Sequence, residues 1–254
     1  MIASLGYRTD LFFSRLSGEV EDLGEYLCIR TPSNPTFWWG NFVLFKRAPE
    51  KDDANHWLEV FHLEHPDAQH IAIGFDGTEP GDVSGFPLTL QTSSVMTANA
   101  LHEPAHPIRE AELRPLLNDA DWDARLTLSR AVHNTWGDGF LERSNVSHRK
   151  QTEAGHGKFF GAFLDRQLVS SLGIFNTGDG LGRFQTVETH PQFERRGLCG
   201  TLTHFAGQYA LQGMNVQTLV MVADPLYHAQ RVYESVGFRV TEPQFGFEKP
   251  EAPT

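Results

Sequence analysis

The feature that most constrains this chain is a strand that ends in a glycine-containing turn and opens a helix. The strand and its end read VETHP, and the turn and helix start read QFERRGLCGTL. Apolar residues then recur at helical spacing as far as Tyr209. Such a turn directs several backbone N–H groups at one point, and the helix dipole adds partial positive charge there. The sequence therefore predicts an anion site suited to a phosphate or pyrophosphate.

The residue types of the turn support this prediction. Gly197 and Gly200 allow a ligand to approach the backbone closely, and the small Cys199 nearly does so. Arg195 and Arg196 add positive charge in a chain that is otherwise short of it. These properties indicate an anionic ligand without identifying it.

A second motif lies downstream, in the run ADPLYHAQRVYESVGF. It places Ala229 and Tyr233 four residues apart, followed by Gly237-Phe238. Together with the run from Val187 to Leu202, it resembles the GNAT superfamily of acetyl-CoA-dependent N-acetyltransferases. The resemblance extends over about Ala105–Pro250 and includes the order of strands and helices.

The chain departs from the family at two positions of the turn, whose usual pattern is Gln/Arg-x-x-Gly-x-Gly/Ala. Glu194 stands where Gln or Arg is usual, and Cys199 stands at the second glycine. Binding through backbone N–H groups tolerates both changes. A carboxylate beside a pyrophosphate weakens binding unless it points away.

The resemblance implies an α/β fold with a mixed sheet, in which Arg183–Thr189 and Gln217–Val222 splay apart to admit a thioester. The backbone of the first strand would pair with the pantetheine arm of acetyl-CoA, as in β-augmentation. The amides of the turn would hold the pyrophosphate. The predicted cofactor-binding residues are Val187, Glu188, Thr189, Arg195, Arg196, Gly197, Leu198, Cys199 and Gly200.

The resemblance also implies two catalytic residues. Tyr233 would protonate the departing thiolate, and the alternative is a core tyrosine on an amphipathic helix. Glu188 would activate or hold the amine, and the alternatives are a carboxylate at the sheet rim and a water path for the proton. His190, before Pro191, is interpreted as a histidine that shapes the loop.

Charge excludes several function classes. With 21 Lys and Arg against 32 Asp and Glu, the formal net charge is −11. This excess of acid argues against nucleic acid and against an anionic membrane surface as partners. No run of apolar residues is long enough to span a membrane, and the N-terminus lacks the pattern of a signal peptide. Two cysteines give no disulfide framework, so we expect a cytoplasmic protein.

Two prolines in Leu101–Pro107 suggest a linker, which predicts an N-terminal accessory domain at residues 1–104 and a catalytic domain at residues 105–254. In the first domain, strands are predicted at Glu25–Ile29, Phe37–Phe45 and His70–Phe75, with a helix at Asn55–His65.

The order of these elements parallels the order after Arg183, and the motif Val83-Ser84-Gly85-Phe86 is similar to Ser235-Val236-Gly237-Phe238. Our hypothesis is that the accessory domain is a degenerate copy of the GNAT fold. It has no suitable glycine turn, so it would shape the acceptor pocket without binding CoA.

The run His102-Glu103-Pro104-Ala105-His106 matches the zinc peptidase motif His-Glu-x-x-His. That motif requires a helix, which brings both imidazoles to one face. Pro104 would lie inside that helix, so we expect no metal site here.

The predicted function is transfer of acetyl from acetyl-CoA to a primary amine of a small molecule or peptide. The alternative is a non-catalytic acyl-CoA-binding or sensing protein, which Glu194 and Cys199 favour. An acidic chain favours a cationic acceptor by electrostatic steering. The sequence leaves the acceptor open, and it fits a monomer or a homodimer.

Overall fold

The computed structural model describes residues 2–133, 139–226 and 228–249. These residues form two compact units, residues 2–95 with 242–249, and residues 96–241. The chain passes from the first unit to the second inside one strand and returns inside its last strand. Within the described residues, no helix combines the length and the apolar character needed to span a bilayer.

Both units contain helices and strands. The helices are α1 (Leu5–Ser17), α2 (Asp53–Glu64), α3 (Asp119–Val132), α4 (Phe140–Glu153), α5 (Leu198–Gly213) and α6 (Ala229–Glu234). The strands are β1 (Glu19–Asp22), β2 (Tyr26–Arg30), β3 (Phe42–Phe45), β4 (Ile71–Phe75), β5 (Thr89–Ala98), β6 (Glu112–Pro115), β7 (Gly157–Leu164), β8 (Gln167–Gly178), β9 (Leu181–Thr189), β10 (Thr218–Ala223) and β11 (Arg239–Lys249).

The sheet of the first unit runs in the order β1-β2-β3-β4-β11. On one face Trp57 of α2 stacks on Phe45 with ring centroids 4.0 Å apart. On the other face Tyr7 of α1 is buried, and its hydroxyl donates to the carbonyl of Phe245 in β11. Because Phe245 and Phe247 belong to this core, the unit is complete only when the last strand of the chain has joined it.

The second unit has the strand order β10-β9-β8-β7-β6. Consecutive side chains of a strand point to opposite faces, and two phenylalanines of β7 show which helices cover each face. Phe159 packs against Trp122 of α3, whereas Phe160 packs against Phe205 of α5. The helices α3 and α4 therefore cover one face of this sheet, and α5 covers the other.

The two units share one succession of elements. In each, three antiparallel strands are followed by a helix and a strand parallel to the third: β1-β2-β3-α2-β4 and β7-β8-β9-α5-β10. This order supports the hypothesis of a degenerate copy.

Three features differ from the sequence-based expectations. Trp38–Gly40 forms a 3-10 turn before β3, so the predicted strand Phe37–Phe45 is wrong in its first half. The helix α1 and the strand β1 were not predicted. The compact units divide between residues 95 and 96, inside β5, whereas the predicted domain boundary was between residues 104 and 105.

A buried carboxylate, Asp121, lies at the start of α3 and pairs with an arginine. Asp121 accepts hydrogen bonds from both terminal nitrogens of Arg114, at 2.8 and 2.7 Å, and from the amide of Leu117 at 2.8 Å. The Arg114 guanidinium is the main cause that lowers the pKa of Asp121. A lowered carboxyl pKa stabilises the folded state above the unfolded pKa and stops doing so as the pH falls through the folded value.

We therefore expect Asp121→Asn to reduce the free energy of unfolding by about 1.5–3 kcal/mol at pH 7. The difference from the parent should shrink as the pH falls below about 4, the pKa of an unfolded aspartate, and through the lowered pKa of the folded state. Urea unfolding at both pH values measures this. The control is Asp123→Asn on the exposed side of the same helix, and an equal loss in both variants would contradict the prediction.

Candidate functional site

The site begins where β9 and β10 separate. These parallel strands are paired through Leu181–Arg183 and Thr218–Val220, and beyond these residues they diverge. Against β8, the register of β9 shifts between Gln185 and Glu188, and Thr186 has a positive φ of 48°. An extra residue of this kind is a β-bulge, which bends a strand and redirects its side chains.

A cavity of about 430 Å³ occupies the gap between the two strands. One wall is β9 from Arg183 to Thr189, and the other is the end of β10 with Asp224. The N-terminus of α5 closes one end, and α6 contributes Val232 and Tyr233. The cavity thus combines two open strand edges with the start of a helix.

The turn before α5 depends on glycine at one position. Gly197 has a φ of +81°, and a Cβ added to it would lie 2.4 Å from the carbonyl oxygen of His106. A glycine also has no side chain with which to cap the helix, and the first amides of a helix have no partner within it. The amides of Leu198, Cys199 and Gly200 therefore lie at the end of the cavity as donors for an anion.

Glu188 lies on the α3 face of the sheet and is buried, with 2% of its side chain exposed. Both carboxylate oxygens accept hydrogen bonds from α3 and its C-cap. Ser129 Oγ donates to one oxygen at 2.7 Å, and His133 Nε2 lies 3.1 Å from the other. The neighbours Val187 and Thr189 point to the opposite face, because side chains alternate along a strand.

The sequence around this cavity matches a known protein family. The sequence model described as Acetyltransferase (GNAT) domain matches residues 124–249. This part of the chain is a GNAT acetyltransferase domain. No curated protein sequence matches the chain significantly.

Solved structures agree on the fold. A functionally unknown conserved protein from Staphylococcus epidermidis is 15% identical, with a TM-score of 0.74 over 93% of this chain and 95% of the other. A GCN5-related N-acetyltransferase from Kribbella flavida is 14% identical, with a TM-score of 0.65 over 98% of both chains. A tandem GNAT protein from the clavulanic acid biosynthesis pathway is 12% identical, with a TM-score of 0.51 over 78% of this chain and 69% of the other. The predicted α/β fold is confirmed as a GNAT fold.

The predicted cofactor-binding residues lie around the cavity of the GNAT domain, with one exception. Arg196 is turned away: its guanidinium lies 5.4 Å from the ring of Phe193, and it reaches Glu110 at 3.8 Å. Glu194 is exposed at the rim of the cavity. The predicted residues that line the cavity are Val187, Glu188, Thr189, Arg195, Gly197, Leu198, Cys199 and Gly200.

Tyr233 is 5% exposed and belongs to two environments. Its ring lies edge-on to Phe238 at 6.3 Å between centroids, within the core of the GNAT domain. It also lines the cavity from α6, across from β9. Both the acid and the core interpretation of this residue remain predictions.

Sequence reasoning missed the polar residues that surround Glu188. Arg125 is almost completely buried and donates to Asn145 at 2.6 Å and to His148 Nδ1 at 3.1 Å. Burial lowers the pKa of Arg125 to about 10, and the Glu188 carboxylate acts in the opposite direction. The available signal was Arg125 at a spacing of four and eight residues from Ser129 and His133, which places the three on one helix face.

Two further sequence features have a clear structural outcome. Residues 101–107 are not helical, so His102 and His106 do not lie on one helix face, as a zinc peptidase motif requires. Within the described residues, no group of three or more His, Cys, Asp and Glu could hold a metal ion. Cys28 and Cys199 are both free thiols, and burial raises the pKa of Cys199 to about 11.

Proposed function

We propose that this protein transfers the acetyl group of acetyl-CoA to the primary amine of a small molecule or peptide. The observation that carries the proposal is the divergence of β9 and β10 directly above the N-terminus of α5. Diverging strands offer backbone groups to a pantetheine arm, and helix amides offer donors to a pyrophosphate. The family membership of residues 124–249 supports acyl transfer.

The proposed chemistry is direct attack of the amine nitrogen on the thioester carbonyl. The C–N bond forms, the C–S bond breaks, and the thiolate leaves. Tyr233 lies on the cavity wall opposite β9, where its hydroxyl can protonate the sulfur. Glu188 and the residues bonded to it lie on the α3 side of β9, which we assign to the acceptor.

Acetyl-CoA is proposed to bind the second unit alone. In the first unit β3 and β4 stay paired to their last residues, Phe45 and Phe75, so no gap opens between them. The start of α2 holds the carboxylate of Asp53, which accepts from the amide of Glu50 at 2.6 Å and pairs with Arg47. An internal carboxylate at this helix N-terminus disfavours a second anion there.

Acetyl-CoA is expected to stabilise the protein, because a ligand that binds only the folded state adds RT ln(1 + [L]/Kd) to its stability. The gain is about 2.7 kcal/mol at a hundredfold excess over Kd. A thermal melt with and without millimolar acetyl-CoA measures this, with adenosine as a control ligand that lacks the pyrophosphate. An unchanged melting temperature with acetyl-CoA would remove the basis of the proposal.

The alternative function, an acyl-CoA sensor, is favoured by Glu194 at the rim of the cavity. A sensor binds acetyl-CoA without releasing CoA thiol, whereas a transferase releases one thiol for each amine acetylated. Thiol release with a panel of spermidine, tyramine, kanamycin and a peptide with a free N-terminus separates the two. Binding without thiol release across this panel would support the sensor.

A further inference from the structure

We propose that residues 104–110, here named the anchor segment, hold the pyrophosphate-binding turn in its binding conformation, and that Thr201 is the positioning residue that joins the two. The anchor segment overlaps the predicted linker. The inference rests on the proposed function and deepens it, because it concerns how the same site gains its affinity for acetyl-CoA.

The anchor segment lies along the turn and the start of α5. The carbonyl oxygen of His106 lies so close to Gly197 that an added Cβ would be 2.4 Å from it. Pro104 lies against Gly200, with 3.5 Å between its Cβ and a Cβ added to the glycine. Ile108 is buried in the core of the GNAT domain, which keeps the segment in place. The turn therefore has no room to shift toward the anchor segment.

The position of Arg196 follows from the same arrangement. Its guanidinium lies 3.8 Å from the carboxylate of Glu110 in the anchor segment. Both side chains are exposed, so the pair contributes little stability. The pair nevertheless explains why Arg196 is directed away from the cavity.

One buried hydroxyl links the anchor segment to the turn. Thr201 Oγ1 accepts a hydrogen bond from the amide of Ile108 at 3.1 Å and donates one to the carbonyl oxygen of Gly197 at 2.8 Å. A hydroxyl has one donor and two lone pairs, so it can make both bonds at once. Thr201 is 7% exposed, so water competes little for either bond. The amide, the hydroxyl and the carbonyl form a directed chain in which each bond polarises the next.

The peptide bond after Gly197 transmits this constraint to the anion site. A trans peptide is planar, and its carbonyl and its N–H point in opposite directions. The carbonyl of Gly197 and the amide of Leu198 belong to the same peptide, so holding the carbonyl also fixes the direction of the amide. The amide of Thr201 donates to the same carbonyl at 3.0 Å, which leaves the first three amides of α5 as donors for the anion.

The cavity lining distinguishes a positioning role from direct binding. Among the residues that the structure describes, His106, Ile108 and Thr201 lie outside the lining, whereas Gly197 and Leu198 belong to it. The anchor segment can therefore act on a ligand only through the turn. Loss of the Thr201 hydroxyl should weaken the binding of a ligand that carries a pyrophosphate and spare a ligand that lacks one.

The first test is the affinity of Thr201→Val in the full-length protein. Valine has nearly the shape of threonine, but it leaves the amide of Ile108 without its acceptor. We expect the Kd for acetyl-CoA to rise about three- to tenfold, as for the loss of one hydrogen bond. The Kd for S-acetylpantetheine, which has the thioester arm and lacks the pyrophosphate, should change by less than about twofold. Isothermal titration calorimetry measures both constants.

Two further variants serve as controls. Thr201→Ser keeps the hydroxyl and should bind acetyl-CoA as the parent does. Thr9→Val removes another buried helical hydroxyl, which donates to the carbonyl of Leu5 four residues earlier at 2.9 Å. Its Kd for acetyl-CoA should match that of the parent, because acetyl-CoA is proposed to bind the second unit alone.

The possible outcomes separate the inference from the proposed function. Parent-like binding of acetyl-CoA by Thr201→Val would overturn the inference and leave the proposed function intact. An equal loss of affinity for both thioesters, or the same loss in Thr9→Val, would indicate general destabilisation and would also overturn the inference. A parent that does not bind acetyl-CoA overturns the proposed function and the inference with it.

The second test uses the parent protein and so does not depend on the folding of Thr201→Val. If the anchor segment stabilises the ligand-bound turn, the bound ligand must stabilise the anchor segment by the same factor. Saturating acetyl-CoA should therefore slow hydrogen exchange of the Ile108 amide about three- to tenfold, although Ile108 lies outside the cavity lining. NMR spectra of protein labelled with nitrogen-15 isoleucine measure this rate, and the resonance is assigned by its loss in Ile108→Val. An unchanged rate in a parent that binds acetyl-CoA would refute the positioning role.

Discussion

Gly197→Asp is expected to abolish the stabilisation of the protein by acetyl-CoA. Any side chain at this position meets the carbonyl oxygen of His106, since its Cβ would lie 2.4 Å away. The backbone there has a φ of +81°, which a residue other than glycine adopts at a cost of about 1–2 kcal/mol. The new carboxylate also places a negative charge where the pyrophosphate is proposed to bind. The shift in melting temperature with millimolar acetyl-CoA should disappear.

A control variant at a second glycine distinguishes the effect of backbone strain from the effect of losing the anion site. Gly155 has a φ of +83° and no atom within 4 Å of an added Cβ. Gly155→Asp should therefore carry a similar strain and charge, while keeping the full shift with acetyl-CoA. Arg195→Glu at the exposed turn is a second variant that leaves the fold intact, and we expect about tenfold weaker binding. Full binding in Gly197→Asp would refute the proposed pyrophosphate site.

Tyr233→Phe is expected to lower kcat by about 10²–10⁴ while acetyl-CoA affinity stays within a few-fold. The departing thiolate needs a proton, and a phenol on the cavity wall supplies it as the C–S bond breaks. Phenylalanine keeps the ring that packs against Phe238, so the melting temperature should match that of the parent. Steady-state kinetics with the fastest amine probe, together with acetyl-CoA titration, measure both quantities.

The control for this variant is Tyr209→Phe on α5, where the ring packs on Phe160 and is 37% exposed. It should leave kcat unchanged. If kcat is also unchanged in Tyr233→Phe, the tyrosine belongs to the core and water protonates the sulfur. Weaker acetyl-CoA binding with unchanged kcat would instead make Tyr233 a residue that positions the thioester.

Much of the GNAT domain was predictable because its signals are local. Asp165 and Arg166, between β7 and β8, are residues of a tight hairpin turn, and both have positive φ. The strand, glycine turn and helix around Gly197 form as expected, since backbone freedom and periodicity act over a few residues. The predicted separation of β9 and β10 also occurs.

The remainder depends on contacts that no local pattern contains. Trp38 and Trp39 are aromatic residues typical of strands, yet Trp39 packs edge-on to Phe42 from a 3-10 turn. The cluster around Glu188 includes Ser129, which lies 59 positions earlier in the chain, so no local pattern could predict their hydrogen bond. The turn at Gly197 was predictable from the glycine itself, but the close approach of Gly197 to the carbonyl oxygen of His106 was not.

The place of β11 has a consequence for the order of events during synthesis. Residues 242–249 pair with Ile71–Phe75 and supply Phe245 and Phe247 to the core of the first unit. A ribosome builds the chain from its N-terminus at about 5–20 residues per second, so β4 emerges many seconds before its partner strand. Until β11 has been synthesised, the edge of β4 lacks its partner strand, so we expect the nascent chain to need chaperone protection at this edge.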